Sequence, residues 1–80
     1  MFGRGIPRED VLHVLGAGEA IADFPEEEPF PIRLLLGFPG GEPLHVIAAS
    51  DSAGGTLIAV TAYRPDPGLW EPGFRRRRPG

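Results

Sequence analysis

The chain has 80 residues with a formal net charge of −3, no cysteine, and 22 glycines and prolines together. That length allows one domain with a thin core, and the lack of cysteine excludes a disulfide framework or a thiolate metal site. No apolar run approaches the roughly 18 residues of a membrane-spanning helix, and the start, MFGRGIP, lacks the apolar core of a signal peptide, so a cytoplasmic protein without membrane contact is expected.

Charge is unevenly placed. All eight basic residues are arginine, and four of them are Arg75 to Arg78. Residues 1–74 carry four arginines against eleven acids, a formal −7. This argues against a general nucleic-acid binder and permits a local basic contact.

In chain order, Pro7 to Leu15 predicts a short helix. Proline suits the first helical position, and Glu9 and Asp10 suit the positive end of the helix dipole. Val11, Leu12, Val14 and Leu15 form one apolar face, while His13 points outward. Gly16 and Gly18 end the helix. Glu19 to Phe24 reads as a first strand. The loop PEEEPFP follows, with three prolines that disfavour strand pairing. Its three acids do not converge easily on a metal ion. Ile32 to Gly37 is a second strand and GFPGGE a turn. Leu44 to Ala49 is the third strand, SDSAGG another turn, and Thr56 to Tyr63 the fourth strand. The paired glycines in these turns lack the Lys-Ser or Lys-Thr of a phosphate loop. From Arg64 onward four prolines interrupt any periodicity; this is a tail, anchored by Trp70 and Phe74.

A helix followed by a meander of three or four short-turned strands is an α+β fold, with the helix on one face of an antiparallel sheet. Residues 1–74 form the domain and residues 75–80 a basic tail, solvated and mobile. Side chains alternate along a strand. Ile32, Leu34 and Leu36, then Leu44, Val46 and Ala48, then Ile58, Val60 and Ala62, are expected beneath the helix. The other face then carries Arg33, His45, Thr61 and Tyr63, open to solvent.

Several stretches together resemble a known family. They are RGI before the helix, LLLGFPGGEPLHVIAA in mid-sheet, and TAYRPDPGLW near the end. They resemble the small bacterial proteins of domain-of-unknown-function family 4258, over about Arg4 to Arg78. Members usually begin with a further helical segment carrying a His-Ala and an Arg-Met-x-x-Arg-Gly stretch, so this chain looks shortened at its N-terminus. The resemblance implies a fold similar to the small ribonuclease toxins of toxin–antitoxin pairs, with an antitoxin as partner and RNA as substrate.

Metal-independent RNA cleavage needs a base near the ribose 2′-hydroxyl, an acid for the leaving 5′-oxygen and a cation near phosphate. Histidine exchanges protons near neutral pH, so His45 is the candidate proton-transfer residue, with Tyr63 and Thr61 beside it. Arginine offers a planar fork to phosphate, which nominates Arg33 and Arg64 for substrate binding. Trp70 and Arg75, Arg76, Arg77 and Arg78 are candidate contacts to RNA or a partner. No cofactor is expected. His13 and His45 lie on different elements without cysteine, so no metal site is expected either. The alternative is a non-catalytic interaction module that uses the open sheet face or a strand edge.

Overall fold

The computed structural model describes residues 5–28, 30–51 and 55–79. One helix, α1 (Arg8–Ala17), precedes four strands: β1 (Glu19–Phe24), β2 (Ile32–Gly37), β3 (Leu44–Asp51) and β4 (Thr56–Tyr63). The strands form a single antiparallel sheet in sequence order, β1-β2-β3-β4. The fold is therefore α+β, a helix packed on a four-stranded meander. The RGI motif at its first arginine, and the middle of the SDSAGG turn, lie outside the described residues. No helix among the described residues is long and apolar enough to cross a membrane.

Pro7 caps α1 at its N-terminus with extended backbone and no side-chain cap; its carbonyl accepts from the Asp10 N–H at 3.1 Å. At the other end the Gly18 N–H donates to the Val14 carbonyl at 2.8 Å. Val11 and Val14 are buried and pack into Leu35, Leu44, Val46, Ala48 and Ala62, with Ile6, Leu15 and Ala59 around them. Each buried Val or Leu contributes roughly 1.5–3 kcal/mol, so this small cluster is the main stabilising term. The helix sits close on the sheet because two glycines allow it. A Cβ on Gly37 would lie 2.7 Å from Val14 Cγ2, and one on Gly18 would run into the Val14 carbonyl oxygen.

Two of the three strand faces differ from the alternation expected from sequence. In β2, Leu35 pairs with Val46 and Arg33 with Ala48, so the helix side carries Arg33 and Leu35. Ile32, Leu34 and Leu36 face the other way. The run IRLLLG is apolar on both faces because both faces of this inner strand are covered, and a two-residue period then loses its information. In β4, Ile47 pairs with Thr61 but Ala48 pairs with Ala59, leaving Val60 as a bulge. Ala62 is buried under the helix, whereas Ile58 and Val60 are 49% and 46% exposed. The expected β3 set, Leu44, Val46 and Ala48, is in the core.

The segment after β4 is neither a free tail nor irregular throughout. The Asp66 carboxylate accepts from the Gly68 N–H at 2.8 Å, and the Asp66 carbonyl accepts from Leu69 and Trp70. Trp70 and Arg77 then form an antiparallel bridge, flanked by bonds from Glu71 N–H to the Arg76 carbonyl and from Arg78 N–H to the Leu69 carbonyl, both 2.8 Å. This miniature hairpin lies against the sheet face opposite α1. The expectation of a solvated tail missed it because its bonds link irregular backbone, which leaves no periodic signature.

Candidate functional site

His45 sits on β3, whose side chains are covered from both sides. It is fully buried. Its register partner across β4 is Tyr63, and the two side chains meet: the Tyr63 hydroxyl lies 3.2 Å from His45 Nδ1. On the other side of the ring, His45 Nε2 is 2.9 Å from the carbonyl oxygen of Phe74. A carbonyl only accepts, so Nε2 carries the proton and donates to it; Nδ1 then accepts from the Tyr63 hydroxyl. Both ring nitrogens of a neutral imidazole are thereby satisfied.

The electrostatics follow. Burial lowers the His45 pKa below its ordinary 6.5, with the Phe74 bond opposing the shift. Burial raises the Tyr63 pKa above 10.0, and the Arg77 charge opposes that shift. Both groups are thus held in their neutral forms at neutral pH. The Trp70 ring packs edge-on to His45 at a centroid distance of 4.5 Å, and Tyr63 does so at 5.3 Å.

The Phe74 carbonyl reaches His45 through an unusual backbone. Phe74 has φ of 60°, the left-handed region that bulky residues avoid, and Gly73 before it has φ of 93°. The Phe74 N–H closes on the Glu71 carbonyl at 2.9 Å. This tight turn aims a carbonyl at the imidazole. No sequence signal marks a backbone acceptor of this kind, although Gly73 flags the turn.

Beside the His45–Tyr63 pair lies a cleft of about 340 Å³. Ile32, Leu34 and Ile47 line it from the sheet, with Phe24 of β1, and Tyr63, Trp70 and Arg77 complete it. Thr61 pairs with Ile47 and so shares this side of the sheet. The structure therefore brings together His45, Tyr63, Trp70 and Arg77, with Thr61 two residues along the strand.

It does not bring Arg33 or Arg64 there. Arg33 lies on the helix side of β2 and pairs with Asp23 at 3.7 Å, both exposed. Arg64 follows β4 on the helix side, 3.8 Å from Asp10 of α1 and 3.7 Å from Glu42, with a 3.4 Å bond to the Pro43 carbonyl. It ties the helix start to the β2–β3 connection. The Arg33 expectation rested on strand parity, which the β2 facing overturned; Arg64 was nominated for its guanidinium alone, and three local acceptors on the helix side account for its position.

The remaining arginines divide by contact. Arg75 pairs with Glu19 at 2.8 Å on the surface. Arg78 Nε donates to the Pro67 carbonyl at 3.0 Å. Arg76 is exposed and contributes its backbone carbonyl to the hairpin. His13 is exposed on α1. No group of three His, Cys, Asp or Glu among the described residues could hold a metal ion.

Comparison with known proteins bears on residues 1–64, which match the model of a domain of unknown function, DUF4258. The chain belongs to the DUF4258 family. The match covers α1 and all four strands, including His45 and Tyr63, and ends where the hairpin segment begins. Searches of curated proteins and of solved structures found no match. Membership in DUF4258 fixes a family, and no activity comes with it.

Proposed function

We propose that this DUF4258 chain is a toxin-like, metal-independent endoribonuclease whose proton-transfer pair is His45 and Tyr63. The observation that carries the reading is the 3.2 Å bond between buried His45 and Tyr63, a tyrosine in the wall of a cleft that also holds an arginine. In the reaction, the ribose 2′-oxygen attacks the adjacent phosphorus and the bond from phosphorus to the 5′-oxygen breaks. His45 takes the 2′-hydroxyl proton at Nδ1, the nitrogen left bare when the Tyr63 hydroxyl turns from it toward the departing 5′-oxygen, and Tyr63 gives its own proton to that oxygen. The products are a 2′,3′-cyclic phosphate and a 5′-hydroxyl. The His45–Tyr63 bond then returns the proton from imidazolium to tyrosinate, which resets the pair. Arg77 replaces Arg33 and Arg64 as the phosphate contact, since it is the arginine lining the cleft among the described residues. In the conformation described, both His45 nitrogens are engaged, so substrate reaches Nδ1 only when the segment carrying Phe74 lifts and the Tyr63 hydroxyl turns away.

The test incubates the full chain with single-stranded RNA in chelator, beside a folded His45→Gln variant. Cleavage leaving 2′,3′-cyclic phosphate ends, lost in the variant, is expected. Equal cleavage by both proteins, or none by either, removes His45 from catalysis.

A second reading rests on the burial of His45 with both nitrogens paired, the surroundings of a structural pin. On that reading the domain is a protein-binding module. Its partner meets the edge strand β4, where Leu57, Ile58 and Val60 are exposed. On the first reading the protein partner is an antitoxin. The two readings separate at His45→Gln, which the binding module tolerates.

A further inference from the structure

Residues 65–79 differ from the rest of the fold in how they are held. Every backbone–backbone hydrogen bond described for this segment closes within it: Asp66 with Leu69 and Trp70, Glu71 with Phe74 and Arg76, Leu69 with Arg78. Arg78 Nε also turns inward, to Pro67. What holds the segment to the sheet is of another kind. The attachments are the side-chain bond from His45 to the Phe74 carbonyl, the Trp70 edge on the His45 ring, Trp70 and Arg77 along the sheet-lined cleft with Arg77 near Tyr63, the exposed Arg75–Glu19 ion pair, and Pro65, buried at the root of the segment. An ion pair of that exposure is worth little. Leu69 remains 49% exposed, so the hairpin buries only part of its apolar surface. Pro65, which is buried, is the fixed root of the segment at the end of β4, exposed Pro67 follows it, and the family match stops one residue before Pro65.

We propose that residues 65–79 are a strap that opens and closes over His45 as a unit while the sheet stays folded, gating access to the His45–Tyr63 pair. The role as a gate rests on the ribonuclease reading; the motion does not. A segment that carries its own backbone bonds leaves few orphaned groups when it lifts. Opening exposes one imidazole N–H and one carbonyl to water, and both find new partners there. It also releases Phe74 from contacts that hold it in the left-handed region. When the strap recloses over RNA, Arg77 returns to the side of Tyr63, where a phosphate would sit. Opening of this kind belongs to the low-energy end of local unfolding.

The two histidines make the test internal. The full chain at pH 7 is treated with diethyl pyrocarbonate, and modification of His45 and of exposed His13 is read by mass spectrometry. Amide exchange at Val46 and Ala48, in β3, reports opening of the sheet in the same buffer. The strap predicts that His45 reacts slower than His13, yet at least tenfold faster than the sheet opens. Trp70→Ala should raise the His45 rate about tenfold or more and leave β3 exchange unchanged. Arg75→Ala, which removes only the surface pair, should raise it two- to threefold and serves if Trp70→Ala fails to fold. His45 modification that tracks β3 exchange in wild type and variant alike overturns the proposal, because the segment is then an integral part of the core. Fast, strap-controlled modification without RNA cleavage would leave the strap standing and remove the ribonuclease reading.

Discussion

Truncating His45 to alanine takes two hydrogen bonds and two edge-on ring contacts out of a fully buried position. Each neutral hydrogen bond is worth about 1 kcal/mol net, and an aromatic pair about 0.5–1.5 kcal/mol beyond its burial. Truncation of large buried side chains costs about 2–5 kcal/mol in all, because the cavity closes only partly. We expect a loss of about 3 kcal/mol from the closed state, within that range. A chain of this length has a stability of roughly 4–12 kcal/mol, so the sheet should survive while the strap is released. Urea unfolding should be followed by two probes. Trp70 is the only tryptophan, so its fluorescence reports the strap, and far-ultraviolet circular dichroism reports the sheet. In the variant the fluorescence transition should move to lower urea and precede the circular dichroism transition. A fluorescence midpoint within about 1 kcal/mol of wild type would refute the reasoning, since an average surface substitution costs less than that.

Three further outcomes follow from other parts of the molecule. Gly18→Ala should destabilise the fold by about 1–3 kcal/mol through overpacking, because the added Cβ meets the backbone carbonyl of Val14; an unchanged thermal midpoint would contradict the close packing of α1. Lowering pH should weaken the closed state through His45. Its folded pKa lies below the unfolded value of 6.5, so the unfolded chain binds the proton first and stability falls as pH drops below about 6.5. Tyr63 and Arg77 are the other ionisable groups on that side of the ring, and neither changes charge in this window. The fluorescence-monitored midpoint should therefore fall between pH 7 and pH 5.5 in wild type and stay flat in His45→Gln. Finally, Arg33→Ala should leave RNA cleavage unchanged, since Arg33 lies across the sheet from His45; a loss of cleavage in a folded variant would contradict that placement.

The strand bounds of β1, β2 and β4 were legible because alternating or β-branched runs sit between Gly and Pro clusters, and the helix because Val11, Leu12, Val14 and Leu15 recur at helical spacing, although Leu12 is exposed and the valines alone are fully buried. The side assignments were less so. In β3 one face is Leu44, Val46 and Ala48 and the other includes His45, and that contrast gave the correct parity. In β2, Leu34, Leu35 and Leu36 are interchangeable to a periodicity argument, and Arg33 sits beyond the reach of the helix, so its charge did not mark a solvent face. In β4 the Val60 bulge shifts parity midway, which no residue type announces. His45 and Tyr63 were placed on one sheet face by strand parity, but their direct pairing was not legible, because it depends on the register that the turn between β3 and β4 and the Val60 bulge set. The cover over them was not legible: it depends on a backbone carbonyl at Phe74 and on a hairpin whose strands are a residue or two long.

The most direct test of the account reads the imidazole of His45 itself. A long-range proton–nitrogen correlation spectrum of the full chain separates protonated from bare ring nitrogens. The expected spectrum has a protonated Nε2 and an unprotonated, hydrogen-bonded Nδ1 for His45, in a ring that stays neutral to lower pH than an ordinary histidine. A His45 ring with its two tautomers averaged and a pKa at or above the ordinary 6.5 would mean that Phe74 and Tyr63 do not hold it, and the strap and the site would both fall.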